Sequence, residues 1–375
     1  MPDLLISARQ VITPAQVHAP GWVQVVDRKV AAVGAGTPPR PADLDLPAAT
    51  IVPGFVDVHV HGGGGASFDG GDQSAAQSVL QAHLSRGTTT MMASLVSAEP
   101  TVLTRSVKEL AALAEDGLLA GVHLEGPWLS PRHAGAHDPA LLALPNAETI
   151  DRLVEVGDGH LRMVTLAPEL PGGLDAVRRL AANGVVVAVG HTDATYDEAR
   201  AAIDAGASVG THLFNAMRGL HHREPGPVVA LIERPDTYVE LIADGVHLHP
   251  AVLRMAAQSK PERTVLVTDA MAAAAAGDGD YRLGDLAVSV RNGVARLADS
   301  GAIAGSTLTI GAAVRYAVGV AGLSLTDTIR AATLTPAVML GLDRVGALEP
   351  GFHADLVVLD ADLDVVRVMR RGAWV

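Results

Sequence analysis

The chain has 375 residues, and 49% of them are hydrophobic, which is enough apolar material for one large domain or two. It contains no cysteine, which excludes disulfides, iron–sulfur clusters, thiolate metal sites and a cysteine nucleophile, so any metal must be held by nitrogen and oxygen. The formal net charge of −13 argues against a nucleic-acid-binding surface, because phosphate backbones are bound by basic patches.

Signals for membrane insertion or export are not evident in the sequence. No apolar run reaches the roughly 18 residues that a membrane-spanning helix needs. The opening residues, MPDLLISARQ, lack a basic region followed by an apolar one. We therefore expect a soluble, cytoplasmic protein with neither a membrane nor a nucleic acid as partner.

The two ends of the chain are rich in strand-like segments. These are residues 3–12, 21–33, 354–360 and 364–375. Ends of this kind around a different middle predict a small β-sandwich domain formed by residues 1–51 and 343–375. A larger domain, residues 52–342, would then be inserted between them.

Strand-like and helix-like segments alternate through the middle of the chain. The eight strand-like segments lie at 56–61, 88–96, 121–125, 161–167, 185–190, 208–212, 238–244 and 264–269. The helix-like segments lie at 74–87, 101–116, 147–156, 173–184, 195–205, 226–233 and 250–258. This pattern predicts an α/β fold, the (β/α)8 TIM-like barrel, rather than an open doubly wound sheet, since no Gly-x-Gly-x-x-Gly turn opens the first helix. A hairpin around Asn292–Gly293 is expected as an insertion after the eighth strand.

The first predicted barrel strand carries a His-x-His motif within residues 53–65, PGFVDVHVHGGGG. Valines alternate there with Asp57, His59 and His61, so a strand places both histidines on one face. Two neighbouring imidazoles can supply nitrogen ligands to a divalent metal. For this motif alone, a pair of ordinary polar strand residues is the alternative interpretation.

Polar residues lie at the carboxyl ends of several predicted strands, where barrel enzymes carry their catalytic groups. They are His59, His61, Glu125, His191, His212 and Asp269. A hydrogen-bonded strand end would explain any one of them. Six nitrogen and carboxylate groups at one rim together predict a metal site.

Three other features are interpreted as structural. His123 lies on the same strand face as Glu125, one layer below, which indicates a hydrogen-bonded core histidine rather than a ligand. His83 is expected on the surface of the helix that follows the first strand. The run MAAAAAGDGD, residues 271–280, is expected to be a flexible loop.

Several local sequences resemble those of the N-acetylglucosamine-6-phosphate deacetylase family, within the amidohydrolase superfamily. They are PGFVDVHVHG, HLEGPWLS, GHTDA, THLFNAM, REPG, ADGVHLHP, VTDAM and GAIAGSTLT, and they extend from about residue 50 to residue 340. HLEGPW and THLFNAM are the most specific of them, whereas His-x-His marks only the superfamily. The resemblance implies a (β/α)8 barrel with a small β domain.

The resemblance also implies a role for each residue at the rim. Glu125, His191 and His212 would hold a principal metal, and His59 and His61 would hold a second one bridged through Glu125. One or two divalent ions per subunit are expected, zinc or iron by preference. Asp269 would take a proton from the attacking water and deliver it to the departing amine.

Further residues are implied to contact the substrate. His137 would lie near the carbonyl, and His247 near the sugar or the scissile group. The resemblance assigns the phosphate to Asn215, Ala216 and Arg223, and the closing segment over the sugar to Ile303, Ala304 and Gly305. For Arg223, a surface salt bridge with Glu224 is the alternative.

The implied activity is deacetylation of N-acetyl-D-glucosamine 6-phosphate to D-glucosamine 6-phosphate and acetate, in amino-sugar catabolism or cell-wall recycling. The galactosamine epimer is an open alternative, because the motifs do not reveal the orientation of one hydroxyl. A cyclic amidohydrolase or deaminase of the same superfamily is another, and it would not need a phosphate site. A non-catalytic assembly protein is disfavoured, since it has no use for converging buried polar groups. Relatives form dimers, so a homodimer is also implied.

Overall fold

The protein is described here from a computed structural model, which describes residues 3–375. Two units of hydrogen-bonded strands dominate it, a closed barrel in the middle of the chain and a sheet formed by both ends. Among the helices of these residues, none combines the length and the apolar character that crossing a membrane requires.

The barrel has eight strand positions. In chain order they are Phe55–Asp57, Thr88–Met91 continued by Ala93–Leu95, Val122–Glu125, Leu161–Leu166, Val186–Val189, Ala207–Gly210, Tyr238–Ile242 and Thr264–Val267. Neighbours pair in parallel from the second position to the eighth, and the first strand pairs in parallel with the second. A bridge between Val60 and Ala270 joins the first strand to the eighth and closes the ring. The predicted (β/α)8 barrel is therefore confirmed.

Helices cover the outside of the barrel. Those between barrel strands are Gln73–Leu84, Pro100–Glu115, Ala147–Gly157, Gly173–Ala182, Tyr196–Asp204, Gly226–Glu233 and Pro250–Ser259, and Ile310–Gly319, Leu325–Ala332 and Leu334–Met339 follow later. Several begin at side chains that accept a bond from the first turn, including Asp72, Asn146 and Thr195. The strands are mostly apolar because helices and the barrel interior bury both of their faces.

Both ends of the chain join one eight-stranded sheet. Its strands are Leu4–Ile12, Val17–His18, Gly21–Val26, Lys29–Ala35, Leu44–Pro53, Leu356–Leu359, Val365–Arg370 and Ala373–Trp374. It has an apolar core of its own, which includes Ile6, Val23, Ile51 and Leu356. The expected small β domain built from both termini is thus confirmed. Its boundaries at residues 51 and 343 stay a prediction.

A three-stranded insertion follows the eighth barrel strand. It consists of Gly279–Leu283, Leu286–Arg291 and Val294–Leu297, paired antiparallel. Its hairpin turns at Asn292 and Gly293, whose φ angles of 53° and 73° fit the predicted type I′ turn. The insertion and residues 271–273 share an apolar cluster with Val96 from the barrel rim.

The segment that leads into this insertion differs from the expectation of a flexible loop. Residues 271–274 are buried, and the carbonyls of Ala272 and Ala274 accept bonds from Gly65 and Gly64. Alanines without side-chain bulk can pack against a glycine segment, so the run 271–280 begins as part of the core rather than as an exposed loop. The glycines belong to a two-stranded ribbon, in which Gly62–Gly63 pairs with Ala66–Ser67.

Candidate active site

The six polar residues predicted at the strand ends converge at one mouth of the barrel. They form two overlapping groups, His59, His61, Glu125 and Asp269 in one, and Glu125, His191 and His212 in the other. Within each group, one nitrogen or oxygen atom of every residue lies within 4.8 Å of the others. All six side chains are buried, because the strands that carry them form the inside of the closed ring.

Glu125 is shared by the two groups. Its Oε1 lies 2.9 Å from His212 Nε2 and 3.1 Å from His191 Nε2. Its Oε2 lies 3.2 Å from His61 Nε2, and Asp269 Oδ1 lies 3.4 Å from the same nitrogen. One carboxylate can therefore bridge two ligand groups.

The opposite ring nitrogens indicate which atoms carry protons. His191 Nδ1 donates to the carbonyl of His133 at 2.8 Å, and His59 Nδ1 donates to Glu240 Oε2 at 3.0 Å. In their neutral forms both rings therefore present an Nε2 lone pair towards Glu125. Lone pairs facing carboxylate oxygens repel unless a cation lies between them. This donor set, nitrogen and oxygen without sulfur, fits a divalent metal ion.

The acid–base behaviour of the site also indicates a demand for positive charge. Burial alone would lower the pKa of His61, but its contacts with Asp269 and Glu125 outweigh burial and raise that pKa to about 9. Burial alone would raise the pKa of Asp269, but the neighbouring His59 and His61 hold it far below its usual range. The carboxylates thus attract protons to the imidazoles, and a divalent ion can replace those protons.

His137 lies beside these groups as a neutral donor. The Ser97 backbone N–H donates to His137 Nδ1 at 3.3 Å, so the proton of the neutral ring is on Nε2, which lies 3.3 Å from Glu125 Oε2. Burial lowers the pKa of His137 to about 4. At neutral pH this ring therefore offers an N–H to whatever occupies the pocket.

A cavity of about 390 Å³ opens above the cluster. Of the substrate residues predicted from the sequence, His137, Asn215, Ala216, His247, Ile303 and Gly305 line it. His247 is fixed by Asp244, whose Oδ2 accepts from its Nδ1 at 2.7 Å. Ala304 lies between two lining residues, but its side chain is buried in the apolar cluster under the insertion.

In the single chain, Arg223 does not reach the cavity where a phosphate contact was predicted. It is exposed and is not among the residues that line the cavity, and its guanidinium contacts His222 at 2.7 Å rather than Glu224. Of the residues lining the cavity, Arg132 is the only Arg or Lys. Its Nη1 lies 2.8 Å from Asp193 Oδ2. Arg132 follows Glu125, a residue of the ligand groups, closely in sequence.

Sequence reasoning missed two residues next to the ligand groups and misplaced one. Glu240 is fully buried in the seventh barrel strand, and His133 supplies the carbonyl bound by His191. A glutamate inside the apolar segment YVELIA was the available signal for the first. His83, expected on a helix surface, is fully buried with its Nε2 donating to the Gly62 carbonyl at 2.9 Å. His123 is a core histidine as expected, between Ser94 and Thr165.

The known proteins to which this chain is similar are named as deacetylases of N-acetylhexosamine 6-phosphates. N-acetylgalactosamine-6-phosphate deacetylase of Escherichia coli O157:H7 is 37% identical over 375 residues, covering 98% of each chain. N-acetylglucosamine-6-phosphate deacetylase of Vibrio furnissii is 34% identical over 96% of this chain and 93% of the relative. A solved structure from Mycobacterium smegmatis, a point variant of N-acetyl-D-glucosamine-6-phosphate deacetylase in complex with N-acetyl-D-glucosamine-6-phosphate, is 50% identical. The match covers 100% of this chain and 99% of the Mycobacterium smegmatis chain, with a TM-score of 0.98.

The family model that matches is the amidohydrolase family, over residues 50–375. This range includes the barrel, the insertion and the C-terminal strands, and therefore every residue of the cluster. The chain belongs to the amidohydrolase family.

Proposed function

We propose that the chain is a metal-dependent hydrolase that converts N-acetyl-D-glucosamine 6-phosphate and water into D-glucosamine 6-phosphate and acetate. The observation that carries the proposal is the shared carboxylate of Glu125, with His191 and His212 on one side and His61 and Asp269 on the other, at the floor of a sugar-sized cavity. The names of the relatives supply the substrate class.

The metal is expected to be zinc or iron, with one or two ions per subunit. Glu125, His191 and His212 would hold the principal ion, and His59 and His61 would hold a second one with Glu125. When bound, the ion would activate water and polarise the amide carbonyl. Hydrogen bonds orient His191 and His59 as ligands. The Nδ1 of His191 donates to the His133 carbonyl and the Nδ1 of His59 donates to Glu240, which leaves the Nε2 atoms for an ion.

Asp269 is assigned the proton transfers. Its ionised carboxylate can accept a proton as water attacks the acetamide carbon, and can then donate it to the nitrogen as the C–N bond breaks. Without that donation, the leaving group would be a poorly stable amide anion. The Nε2–H of His137 is assigned to the oxygen that becomes negative during attack, to which it would donate.

The phosphate is assigned to the cavity wall that contains Asn215, Ala216 and Arg132. A guanidinium and backbone N–H groups suit a phosphate dianion, and they would supply the positive charge that a chain of net charge −13 lacks overall. His247 faces the same cavity and is assigned to the sugar. Arg223 is exposed in the single chain, so its contact with the phosphate stays a prediction.

The galactosamine epimer is the second candidate substrate. The Escherichia coli O157:H7 relative, at 37% identity over 98% of this chain, carries that name. The two substrates differ in the orientation of one hydroxyl, and the ligand cluster has no part in reading it. The same active site chemistry would serve both.

The test is a panel of four sugars, the gluco and galacto N-acetylhexosamines with and without the 6-phosphate, assayed by acetate release. We expect kcat/KM to be about 30- to 150-fold higher for a phosphorylated sugar, since a phosphate–guanidinium contact contributes about 2–3 kcal/mol. An Arg132→Met variant should lose most of that preference through KM, with an Arg178→Met variant on an exposed helix face as control. Equal rates with and without the phosphate would contradict the proposal.

A homodimer is part of the same proposal. Its support is the resemblance to relatives that form dimers. Light scattering of the purified protein would give the mass of the assembly directly, and a monomer mass at assay concentration would contradict this part without affecting the assigned chemistry.

A further inference from the structure

Glu240 is a buried acidic residue that the proposed reaction does not use directly. It lies in the middle of the seventh barrel strand, Tyr238–Ile242, and is 0% exposed. Its Oε1 has no hydrogen-bond partner among the described residues. A carboxylate in such a place is costly unless a positive charge lies close by, so its presence requires an explanation.

The other oxygen of Glu240 contacts the His-x-His motif. Glu240 Oε2 accepts from His59 Nδ1 at 3.0 Å, and this is the contact that leaves His59 Nε2 as the free lone pair. That Nε2 lies 3.5 Å from both Glu125 Oε1 and Asp269 Oδ1. A carboxylate behind an imidazole fixes its tautomer and ring orientation and makes the far nitrogen a stronger ligand.

Glu240 also contacts the backbone of the opposite group. The N–H of His212 donates to the same Oε2 at 3.2 Å. His212 has a φ of 27°, in the left-handed region that a residue with a side chain enters only when its surroundings hold it there. Glu240 is therefore connected to a residue of each ligand group, through a side chain in one case and the backbone in the other.

The two ligand groups nevertheless depend on different supports. His191 is oriented by the backbone carbonyl of His133, which no substitution at position 240 removes. His59 is oriented by a side chain, and Glu240 is its only Nδ1 partner among the described contacts. Loss of the carboxylate should therefore weaken the group that contains His59 more than the group that contains His191.

We propose that Glu240 is a positioning residue that makes His59 a metal ligand, so that occupancy of the His59, His61 and Glu125 subsite depends on its carboxylate. This inference rests on the metal-dependent function proposed above. It adds a specific dependence, in which the second ion is lost before the first.

The test measures metal uptake without substrate. Zn²⁺ would be titrated against a competing chelator into four metal-free proteins, and bound ions per chain would be counted. The four are the wild type, Glu240→Gln, Glu240→Leu and a control. Thr165→Val is the matched control, because Thr165 is a fully buried polar residue of the fourth barrel strand, Leu161–Leu166, and bonds His123 and Thr211. Among the described residues, neither of these side-chain hydrogen bonds involves Glu240.

We expect two ions in the wild type and in the control. Glu240→Gln keeps the shape but loses the charge, and should bind the weaker ion about 10–100-fold less tightly. Glu240→Leu should hold one ion, and the Kd of the more tightly bound ion should change less than threefold. A purely structural role would weaken both ions together.

Three outcomes would overturn the inference. They are a wild type that saturates at one ion per chain, an unchanged weaker affinity in Glu240→Gln, and equal weakening of both ions. Should Glu240→Leu not fold, the isosteric Gln variant decides. Because no substrate is present, failure of the deacetylase assay would leave this result standing, and the two proposals are judged separately.

Discussion

Asp269 and Glu125 are both buried carboxylates, but their neighbours suit them to different tasks. Each oxygen of Glu125 lies close to at least one imidazole, as a bridging ligand requires. Asp269 Oδ1 lies 3.5 Å from His59 Nε2 and 3.4 Å from His61 Nε2, and the Asp269 side chain is 12% exposed compared with 4% for Glu125. Asp269 is therefore the carboxylate that can meet a reacting molecule.

This difference predicts the behaviour of Asp269→Asn. The amide keeps the size of the side chain but cannot accept and return a proton, so kcat should fall by about 10²–10⁴-fold. Acetate release measures the loss, and metal analysis of the same sample checks that the ligand groups survive. Binding of the phosphorylated sugar should remain near the wild-type value. A variant that retains more than about a tenth of wild-type kcat would contradict the role given to Asp269.

Residues at strand ends could be placed from the strand pattern itself, whereas residues on loops could be placed only through the family resemblance. Glu125 and His212 could be located because parallel barrel strands all end at one rim, so their position in the sequence fixes their position in space. Arg223 could not, because loops follow surface contacts rather than a repeating geometry. Glu240 was missed for another reason, since a single acidic residue in an apolar strand is an isolated signal without the repeat that marked the strand ends.

The helix after the first strand supports the ligand-bearing segment from behind. His83, in Gln73–Leu84, donates to the carbonyl of Gly62, next to His61. Gly63 packs directly on this ring, because a Cβ there would lie 2.7 Å from His83 Nε2. The sequence pattern placed His83 on the surface because it recorded helical periodicity, and it could not show that a glycine ribbon covers this helix face.

The buried position of His83 predicts an acid sensitivity. Burial lowers the pKa of His83 in the folded state below its value of about 6.5 in the unfolded chain. Between these two values the unfolded state binds more protons, so the free energy of unfolding should fall as pH drops below about 6.5. His83→Gln keeps a donor for Gly62 but does not titrate, and its stability should decline less steeply between pH 7 and pH 5.

Denaturant unfolding at several pH values would measure this difference. His222→Gln, a substitution at an exposed position, is the control and should follow the wild type. Parallel pH profiles for the wild type and His83→Gln would contradict the assignment of acid sensitivity to this histidine.

Among the elements, the alternating strands and helices were predicted and the covering segments were not. Barrel strands are short, apolar and separated by amphipathic helices, and each of these patterns can be read locally. The run 271–280 has no periodicity, and its buried residues 271–274 are hydrogen-bonded to Gly64 and Gly65, which follow the first barrel strand. Contacts between segments so distant in sequence do not appear in a local pattern.

At the scale of the whole molecule, the ligand groups join the first and last strands of the barrel. His59 and His61 follow the first strand and Asp269 follows the eighth, at the place where the Val60–Ala270 bridge closes the ring. The Asp269 N–H donates to the carbonyl of His59 at 2.8 Å, so backbone and side chains meet at the same closure. An ion held there would bind only the closed barrel.

Metal removal should therefore lower the thermal stability of the entire chain. A ligand that binds only the folded state stabilises it by RT ln(1 + [L]/Kd), or about 4 kcal/mol at 1,000 times Kd. Removing the ion should lower Tm by roughly 5 °C or more for a protein of this size, and returning Zn²⁺ should restore the original Tm.

Glu125→Gln, which weakens both ligand groups, is the control, and its Tm should barely respond to chelator. Differential scanning calorimetry would measure these shifts. Identical Tm values for metal-free and metal-loaded wild type would contradict a site that links the two ends of the barrel.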